Sequence, residues 1–234
     1  MPLQKIAENR IYPKKLNQHA LKVFVMLKGI NEFKQYGTKN GLIRLFKLIF
    51  RKIGIEYEVY LYCSKVIDDN FDLDSNQIKR PFVVKELSYD DFKTASNIKF
   101  SENKLELFQK RLQKKTYHSY GVYIDGVLAY TTWISLQEFE MSKNIANGLL
   151  AKNEGLIIDS YCHHEYRGLG IHSYMSKFRI NELKKYGKKK SVAIMLKENL
   201  PTQKAHFKAG YEIEKYLHYF RIFKFEKIKA KKFK

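Results

Sequence analysis

The amino-acid sequence predicts a mixed α/β fold, and two features of its second half carry that prediction. Residues 155–162 (GLIIDSYC) and 191–196 (SVAIML) are apolar runs of the length that is typical of buried strands. Between them, apolar residues recur every three or four positions from Ile171 to Leu183, which indicates a helix. A strand, a turn, a helix and a second strand in this order predict helices packed on a β-sheet.

Local signals on either side of this unit predict further elements. Residues 82–87 form a β-rich run, and Ser88, followed by acidic residues, has the features of a helix N-cap. Residues 121–134 indicate a hairpin, because Asp125-Gly126 is a pair favoured in type I′ turns. The central helix is expected to end at Gly187, and a second helix should start near Pro201 and end at Gly210. Two β-rich runs, at residues 211–213 and 216–225, complete the predicted elements.

The first 80 residues show no such regular order. They contain an amphipathic helix at about residues 42–52, a strand candidate at 57–63 and a polar loop at 68–79. We expect residues 1–80 to form an N-terminal α/β extension.

The amphipathic helix has Phe46 and Ile49 on its apolar face, with Arg44 and Lys47 directed largely away from it. We expect this face to pack on the core, because a short helix normally needs tertiary burial to form. Peripheral contact with an anionic membrane is the alternative. At the other end of the chain, residues 226–234 are expected to be a solvated basic tail.

The charge and cysteine content limit the classes of function. The formal net charge is +20, from 44 Lys and Arg against 24 Asp and Glu, and such a surface attracts polyanions. The sequence shows no zinc-ligand spacing or RNA-binding signature, so no specific nucleic acid is expected as a partner. Two cysteines are too few for a disulfide framework and fit a reducing compartment. Since no apolar stretch typical of a signal peptide follows the first residues, we expect a cytoplasmic protein.

The segment with the most chemical information is residues 159–173 (DSYCHHEYRGLGIHS), where the buried strand leads into the central helix. Gly168 and Gly170 lack a Cβ, so the backbone there can approach an anion closely. The first turn of a helix offers unpaired N–H groups, and Arg167 adds a positive charge. The segment therefore predicts a phosphate site, and a turn that merely requires glycine is the alternative.

Residues 167–172 (RGLGIH) resemble the Arg/Gln-x-x-Gly-x-Gly/Ala signature of the GNAT superfamily of acyl-CoA N-acyltransferases, with His172 replacing the last small residue. The Asp-Gly hairpin, Asn199 after the next strand, and the Gly-Tyr pair at 210–211 follow in the order of that family. The resemblance covers residues 81–225 and implies a mostly antiparallel sheet flanked by helices. It also implies acetyl-CoA or another acyl-CoA as co-substrate, with no metal.

The resemblance implies roles for individual residues. The backbone at 162–164 would lie along the pantetheine arm and support an oxyanion, while residues 167–172 would hold the pyrophosphate. Asp159 is a candidate general base or substrate-orienting group. His206 occupies a position where many family members have a tyrosine acid, so it is a candidate acid or a coenzyme contact. The predicted cofactor-binding residues are Cys162, His163, His164, Arg167, Gly168, Leu169, Gly170, Ile171, His172 and Asn199; the predicted catalytic residues are Asp159 and His206.

The function that the resemblance implies is transfer of an acetyl or other acyl group from acyl-CoA to a small-molecule amine. An amino sugar on a phosphorylated carrier is the first expectation, because the basic surface would favour such a carrier. The alternatives are binding of acyl-CoA without catalysis, binding of nucleic acid through the basic surface, and acyl transfer from an acidic carrier protein. We expect residues 1–80 to contribute to the acceptor site or to a dimer contact, and the insert at residues 136–153 to help shape the acceptor site. A monomer and a homodimer are both compatible with the sequence.

Overall fold

A computed structural model gives the structure of this chain and describes residues 38–68, 78–139 and 148–233. The chain divides into two compact units, Met1–Ile53 and Gly54–Lys234. None of the helices in the described ranges is long and apolar enough to cross a membrane.

Helix α1, Thr38–Lys52, is the described element of the first unit and covers the helix that the sequence predicts. Phe46 and Ile49 are exposed on it, and the role of their face, core packing or membrane contact, stays a prediction. The predicted loop at 68–79 and the insert at 136–153 lie partly outside the described residues.

Among the described residues, the second unit contains ten strands, four α-helices and a short 3₁₀ turn. Its strands are β1 Ile55–Val66, β2 Val83–Glu86, β3 Tyr117–Ile124, β4 Val127–Ser135, β5 Glu138–Phe139, β6 Gly148–Leu149, β7 Glu154–Cys162, β8 Lys190–Leu196, β9 Glu212–Ile222 and β10 Phe225–Lys232. Its helices are α2 Tyr89–Lys93, α3 Glu102–Leu112, α4 Ile171–Lys185 and α5 Leu200–Lys208, with a short 3₁₀ turn at His164–Tyr166.

Eight of these strands form one sheet in the order β10-β9-β1-β8-β7-β4-β3-β2, and β5 pairs with β6 separately. Every neighbouring pair in the large sheet is antiparallel except β7 and β8, which are parallel. The predicted fold class, a mixed and mostly antiparallel sheet flanked by helices, is therefore confirmed.

The compact units divide at a different place from the expected boundary near residue 80. Strand β1 pairs with both β8 and β9, so residues 55–66 lie in the middle of the large sheet. The expected basic tail, 226–234, lies largely in β10, which pairs with β9 along its whole length. The chain also forms one continuous strand, β9, where the sequence suggested two short runs. Strand pairing between distant segments decides these limits, and local sequence patterns do not report it.

The structure contains several turns and caps that local sequence signals predicted. Asp125 and Gly126 have φ angles of 52° and 76°, as the type I′ turn between β3 and β4 requires. Ser88 caps α2 in a reciprocal capping box with Asp91. Gly187, with a φ of 72°, follows the C-terminal end of α4.

Helix α3 was not predicted from the sequence. It packs on the sheet through Phe108, which is 1% exposed and lies 5.0 Å from the ring of Trp133, centroid to centroid. Phe92 of α2 stacks on the same indole at 5.4 Å. This aromatic cluster fixes α3 over β4, and so it positions the side chains at the C-terminal end of α3.

We expect Phe108→Ala to lower the free energy of unfolding by roughly 3–5 kcal/mol, because it empties a packed aromatic site. Urea unfolding, followed by tryptophan fluorescence, measures this change. Phe225→Ala is the matched control: its side chain is 84% exposed, and we expect a change within about 0.5 kcal/mol. Equal effects of the two substitutions would contradict the packing of α3.

Candidate active site

The parallel strands β7 and β8 separate after a short pairing. They pair only through Glu154–Ile157 and Lys190–Ala193, although both strands continue beyond that point. Asp159 has a φ of 46°, and the register between β4 and β7 shifts beside it. The bulge and the divergence accompany a cavity of about 660 Å³ between β7, β8, α3, α4 and α5, a size typical of small-molecule sites.

Asp159 lines this cavity and forms an ion pair across it. Arg111, at the C-terminal end of α3, donates from Nη1 to Oδ2 of Asp159 at 2.5 Å. The Arg111 side chain is 6% exposed and also lies 5.5 Å from the ring centroids of Trp133 and Tyr117. Helix α3 therefore holds Asp159 through a guanidinium that is itself fixed by aromatic packing.

His206 of α5 also lines the cavity, and its environment fixes its tautomer. Its Nδ1 lies 2.8 Å from the carbonyl oxygen of Thr202, which can only accept, so Nδ1 carries the hydrogen. Burial lowers the pKa of His206, and the charge of Arg179 lowers it further, against the opposing effect of the Thr202 hydrogen bond. Neutral His206 thus leaves Nε2 able to accept a proton.

His172 lies in the first turn of α4 and contributes a second imidazole to the cavity wall. Its Nδ1 is 3.2 Å from the hydroxyl oxygen of Tyr130. Desolvation of the ring lowers the pKa of His172 to about 4, with smaller contributions from the charges of Arg179 and His206. At neutral pH this imidazole is therefore uncharged.

The glycine turn stands directly before α4. Gly168 and Gly170 have φ angles of 80° and 85°, which favour glycine. Gly170 is the N-cap of α4, and no side chain of the described residues caps the helix there. Arg167 joins the turn to the end of β7 by donating from Nε to the carbonyl oxygen of Cys162 at 3.3 Å. The first N–H groups of α4 are consequently available to an anion.

The structure brings three of the predicted site residues together in the cavity wall: Asp159, His172 and His206. Cys162 is half-buried at the end of β7, and burial raises the pKa of its thiol although the charge of Arg167 opposes this. Ile171 packs in the main core.

Two more of the predicted site residues, His163 and Asn199, form hydrogen bonds within the protein. The main-chain N–H of His163 donates to the carbonyl oxygen of Ala129 at 3.0 Å. Asn199 caps α5 by accepting a hydrogen bond from the N–H of Thr202 at 3.3 Å. Coenzyme contacts for these residues, and for His164 and Leu169, stay predictions.

Sequence reasoning missed two arginines that line the cavity, Arg111 and Arg179. Arg179 belongs to the buried stripe of α4 that contains Ile171, Met175 and Leu183 at intervals of four residues. A charged residue in the middle of an apolar stripe is the signal that could have identified it. Arg111 had no comparable signal, because α3 itself was not predicted.

Comparison with known proteins gives structural similarity only. No protein-family model and no curated protein matches this sequence. Among solved structures, a functionally unknown conserved protein from Staphylococcus epidermidis superposes with a TM-score of 0.49 and 10% identity, covering 77% of this chain and 67% of that protein. A protein from Novosphingobium aromaticivorans assigned to the GNAT acetyltransferase family superposes with a TM-score of 0.46 and 15% identity. That similarity covers 72% of this chain and 65% of that protein.

A third structure, described as a predicted acetyltransferase from Clostridium acetobutylicum and solved with acetyl-CoA, gives a TM-score of 0.40 and 17% identity. The similarity covers 54% of this chain and 88% of that protein. The family that the sequence resembles is thus named among the structural neighbours.

We expect the stability of the protein to fall as the pH decreases from 6.5 to about 4. The folded-state pKa of His172 is about 4 against an ordinary value of 6.5, so in this range the unfolded chain binds the proton more readily. His172→Gln should reduce the loss of unfolding free energy between about pH 7 and pH 4.5, measured by urea unfolding. A wild-type loss of unfolding free energy in the folded His172→Gln variant would contradict this account.

Proposed function

We propose that this protein is an acyltransferase that moves an acetyl or similar acyl group from acyl-CoA to a small-molecule amine. The observation that carries the proposal is the cavity between the diverging strands β7 and β8, beside the uncapped first turn of α4. A slot between strands suits a narrow pantetheine-like chain, and a helix N-terminus suits a phosphate.

The residues of the glycine turn fit the pyrophosphate of coenzyme A. A Cβ built on Gly168 would meet nothing within 4 Å, so the surface above the turn is open to a ligand. The first N–H groups of α4 and the side chain of Arg167 would bind the phosphate oxygens. The net charge of +20 supports binding of such an anion by attracting it over a longer range.

A main-chain group of β7 would stabilise the oxyanion that forms when the amine attacks. The N–H of His163 donates to β4, so the N–H of Cys162, one residue earlier, is directed to the opposite edge of β7, toward the split. An N–H donor held by the sheet acts without reorganisation, which is the property that makes an oxyanion site effective.

His206 would transfer the proton in this reaction. Since Nδ1 is bonded to Thr202 and the imidazole is neutral, Nε2 can accept a proton from the attacking amine nitrogen. The same nitrogen can then give that proton to the departing sulfur. This assignment makes His206 first a base and then an acid, whereas the sequence suggested either an acid or a coenzyme contact.

Asp159 would position the amine. One of its oxygens, Oδ2, is held by Arg111, so Oδ1 would accept a hydrogen bond from an N–H of the neutral amine. An orienting carboxylate close to the thioester is one of the two roles that the sequence left open.

The test of the function is an assay of acyl transfer with acetyl-CoA and panels of amino sugars on nucleotide carriers, amino acids and polyamines. Release of the free thiol and a mass increase of the amine report the reaction. Transfer to at least one amine supports the proposal. Binding of acetyl-CoA by calorimetry without transfer would indicate acyl-CoA binding alone, and absence of both would overturn the proposal.

We expect Gly168→Glu to weaken binding of acetyl-CoA by about 100-fold or more, because a carboxylate there would repel the phosphates. Isothermal titration calorimetry measures the affinity. Gly187→Glu is a matched control: Gly187 has a similar φ of 72° and equally open space, but it follows the far end of α4. Equal affinities for the two folded variants would contradict a phosphate site at the turn.

We expect His206→Ala to lower kcat for acyl transfer by about 100-fold or more, with little change in the affinity for acetyl-CoA. The loss reflects removal of the group that carries the proton from nitrogen to sulfur. Steady-state kinetics and calorimetry on the same variant separate the two effects. An unchanged kcat would assign His206 to the wall of the cavity rather than to the reaction.

A further inference from the structure

Arg179 is a buried cation in the wall of the proposed reaction cavity. It projects from the middle of α4, is 3% exposed, and lines the cavity where β7 has separated from β8. Its Nη1 donates to the hydroxyl oxygen of Ser160 on β7 at 2.6 Å and to that of Thr132 on β4 at 3.1 Å. Arg179 therefore lies beneath the segment of β7 that would border the acyl group.

The other contacts of Arg179 are also with neutral oxygens. Nε donates to the carbonyl oxygen of Met175 at 3.2 Å, and Nη2 donates to the hydroxyl oxygen of Ser176 at 3.2 Å. A guanidinium has five N–H donors, and these contacts with the described residues use four of them. One donor of Nη2 and the positive charge itself are thus left without a partner in the described part of the chain.

The remaining groups of the cavity do not neutralise this charge. Among the described residues that line it, Asp159 is the only carboxylate, and Asp159 is paired with Arg111. The charge of Arg179 contributes to the lowered pKa of both His172 and His206, so these imidazoles are neutral neighbours. A buried cation without a counter-ion is costly, and buried charges are normally paired with an opposite charge.

We propose that Arg179 binds a carboxylate of one of the two reactants. This inference rests on the proposed acyl transfer and narrows its substrates. The carboxylate belongs either to the amine, which is then an amino acid or a related compound, or to the acyl chain, which is then a dicarboxylic acyl group. A carboxylate is small and carries the charge that the guanidinium lacks, and one of its oxygens can accept the remaining N–H of Nη2. The phosphates of coenzyme A have a separate site at the glycine turn.

Two matched pairs of reactants distinguish the two sources on the wild-type protein. The first pair is an L-amino acid and its amide as acceptors, with acetyl-CoA as donor. The second pair is succinyl-CoA and butyryl-CoA as donors, with the best amine as acceptor. We expect the carboxylate-bearing member of one pair to have a kcat/KM at least about 10-fold higher, as for a buried charged hydrogen bond. A ratio near one in both pairs would overturn the proposal.

Substitutions then assign the preference to Arg179. Arg179→Met should reduce the ratio to about one, because it removes the cation but retains an unbranched apolar side chain of comparable length. Arg179→Lys should keep part of the preference. Arg80→Met is the matched control, since Arg80 is half-exposed and paired with Asp125, and it should keep the wild-type ratio. A full preference in folded Arg179→Met would overturn the proposal.

Measurements of binding keep this inference separate from the acyl-transfer proposal. The melting temperatures of the wild type and of Arg179→Met are compared with the same amino acids, their amides, succinate and acetyl-CoA. Stabilisation by a carboxylate that is lost in the variant supports the site even if no transfer occurs. If Arg179→Met instead loses affinity for acetyl-CoA, which has no acyl carboxylate, Arg179 binds coenzyme phosphate and the proposal is wrong.

Discussion

The site depends on a parallel pairing that stops after four residues of each strand. Strands β7 and β8 start side by side and then separate, and the divergence coincides with the bulge at Asp159. A left-handed backbone at a residue other than glycine costs about 1–3 kcal/mol, although aspartate tolerates it better than most. The surrounding antiparallel pairings and the ion pair with Arg111 hold this conformation in place. If β7 and β8 stayed paired along their whole length, their hydrogen bonds would close the gap in the sheet that the cavity occupies.

Electrostatics within the cavity favour anionic and neutral ligand groups over cations, except at one point. Arg179 has no counter-ion in the described part of the chain, the two imidazoles are neutral, and the single carboxylate of the described wall is paired with Arg111. The exception is Asp159, whose second carboxylate oxygen would accept an N–H of the proposed amine. The proposed sites for a phosphate at the glycine turn, a carboxylate at Arg179 and an amine at Asp159 would then be separate, as the proposed transfer between two charged reactants would require.

Local chemistry explains why parts of the fold were predictable. The Asp125-Gly126 pair can adopt two successive positive φ angles, and Ser88 with Asp91 satisfies the first N–H groups of α2, so neighbouring residues alone specify these features. The central strand, helix and strand were predictable because their apolar residues follow a single period. Helix α3 was missed because its sequence, ENKLELFQKRL, is dominated by polar residues and buries only a narrow face.

The sequence by itself determined the order of the central elements, the glycine turn before α4 and the candidates Asp159, His172 and His206. These follow from propensities and spacing that act over a few residues. Only the tertiary structure decided that β1 lies inside the sheet, that α3 brings Arg111 to Asp159, and that Arg179 lines the cavity without a counter-ion among the described residues. The physical reason is that strand pairing, burial and charge neutralisation depend on segments distant in the chain, and their free energies are set only when those segments meet.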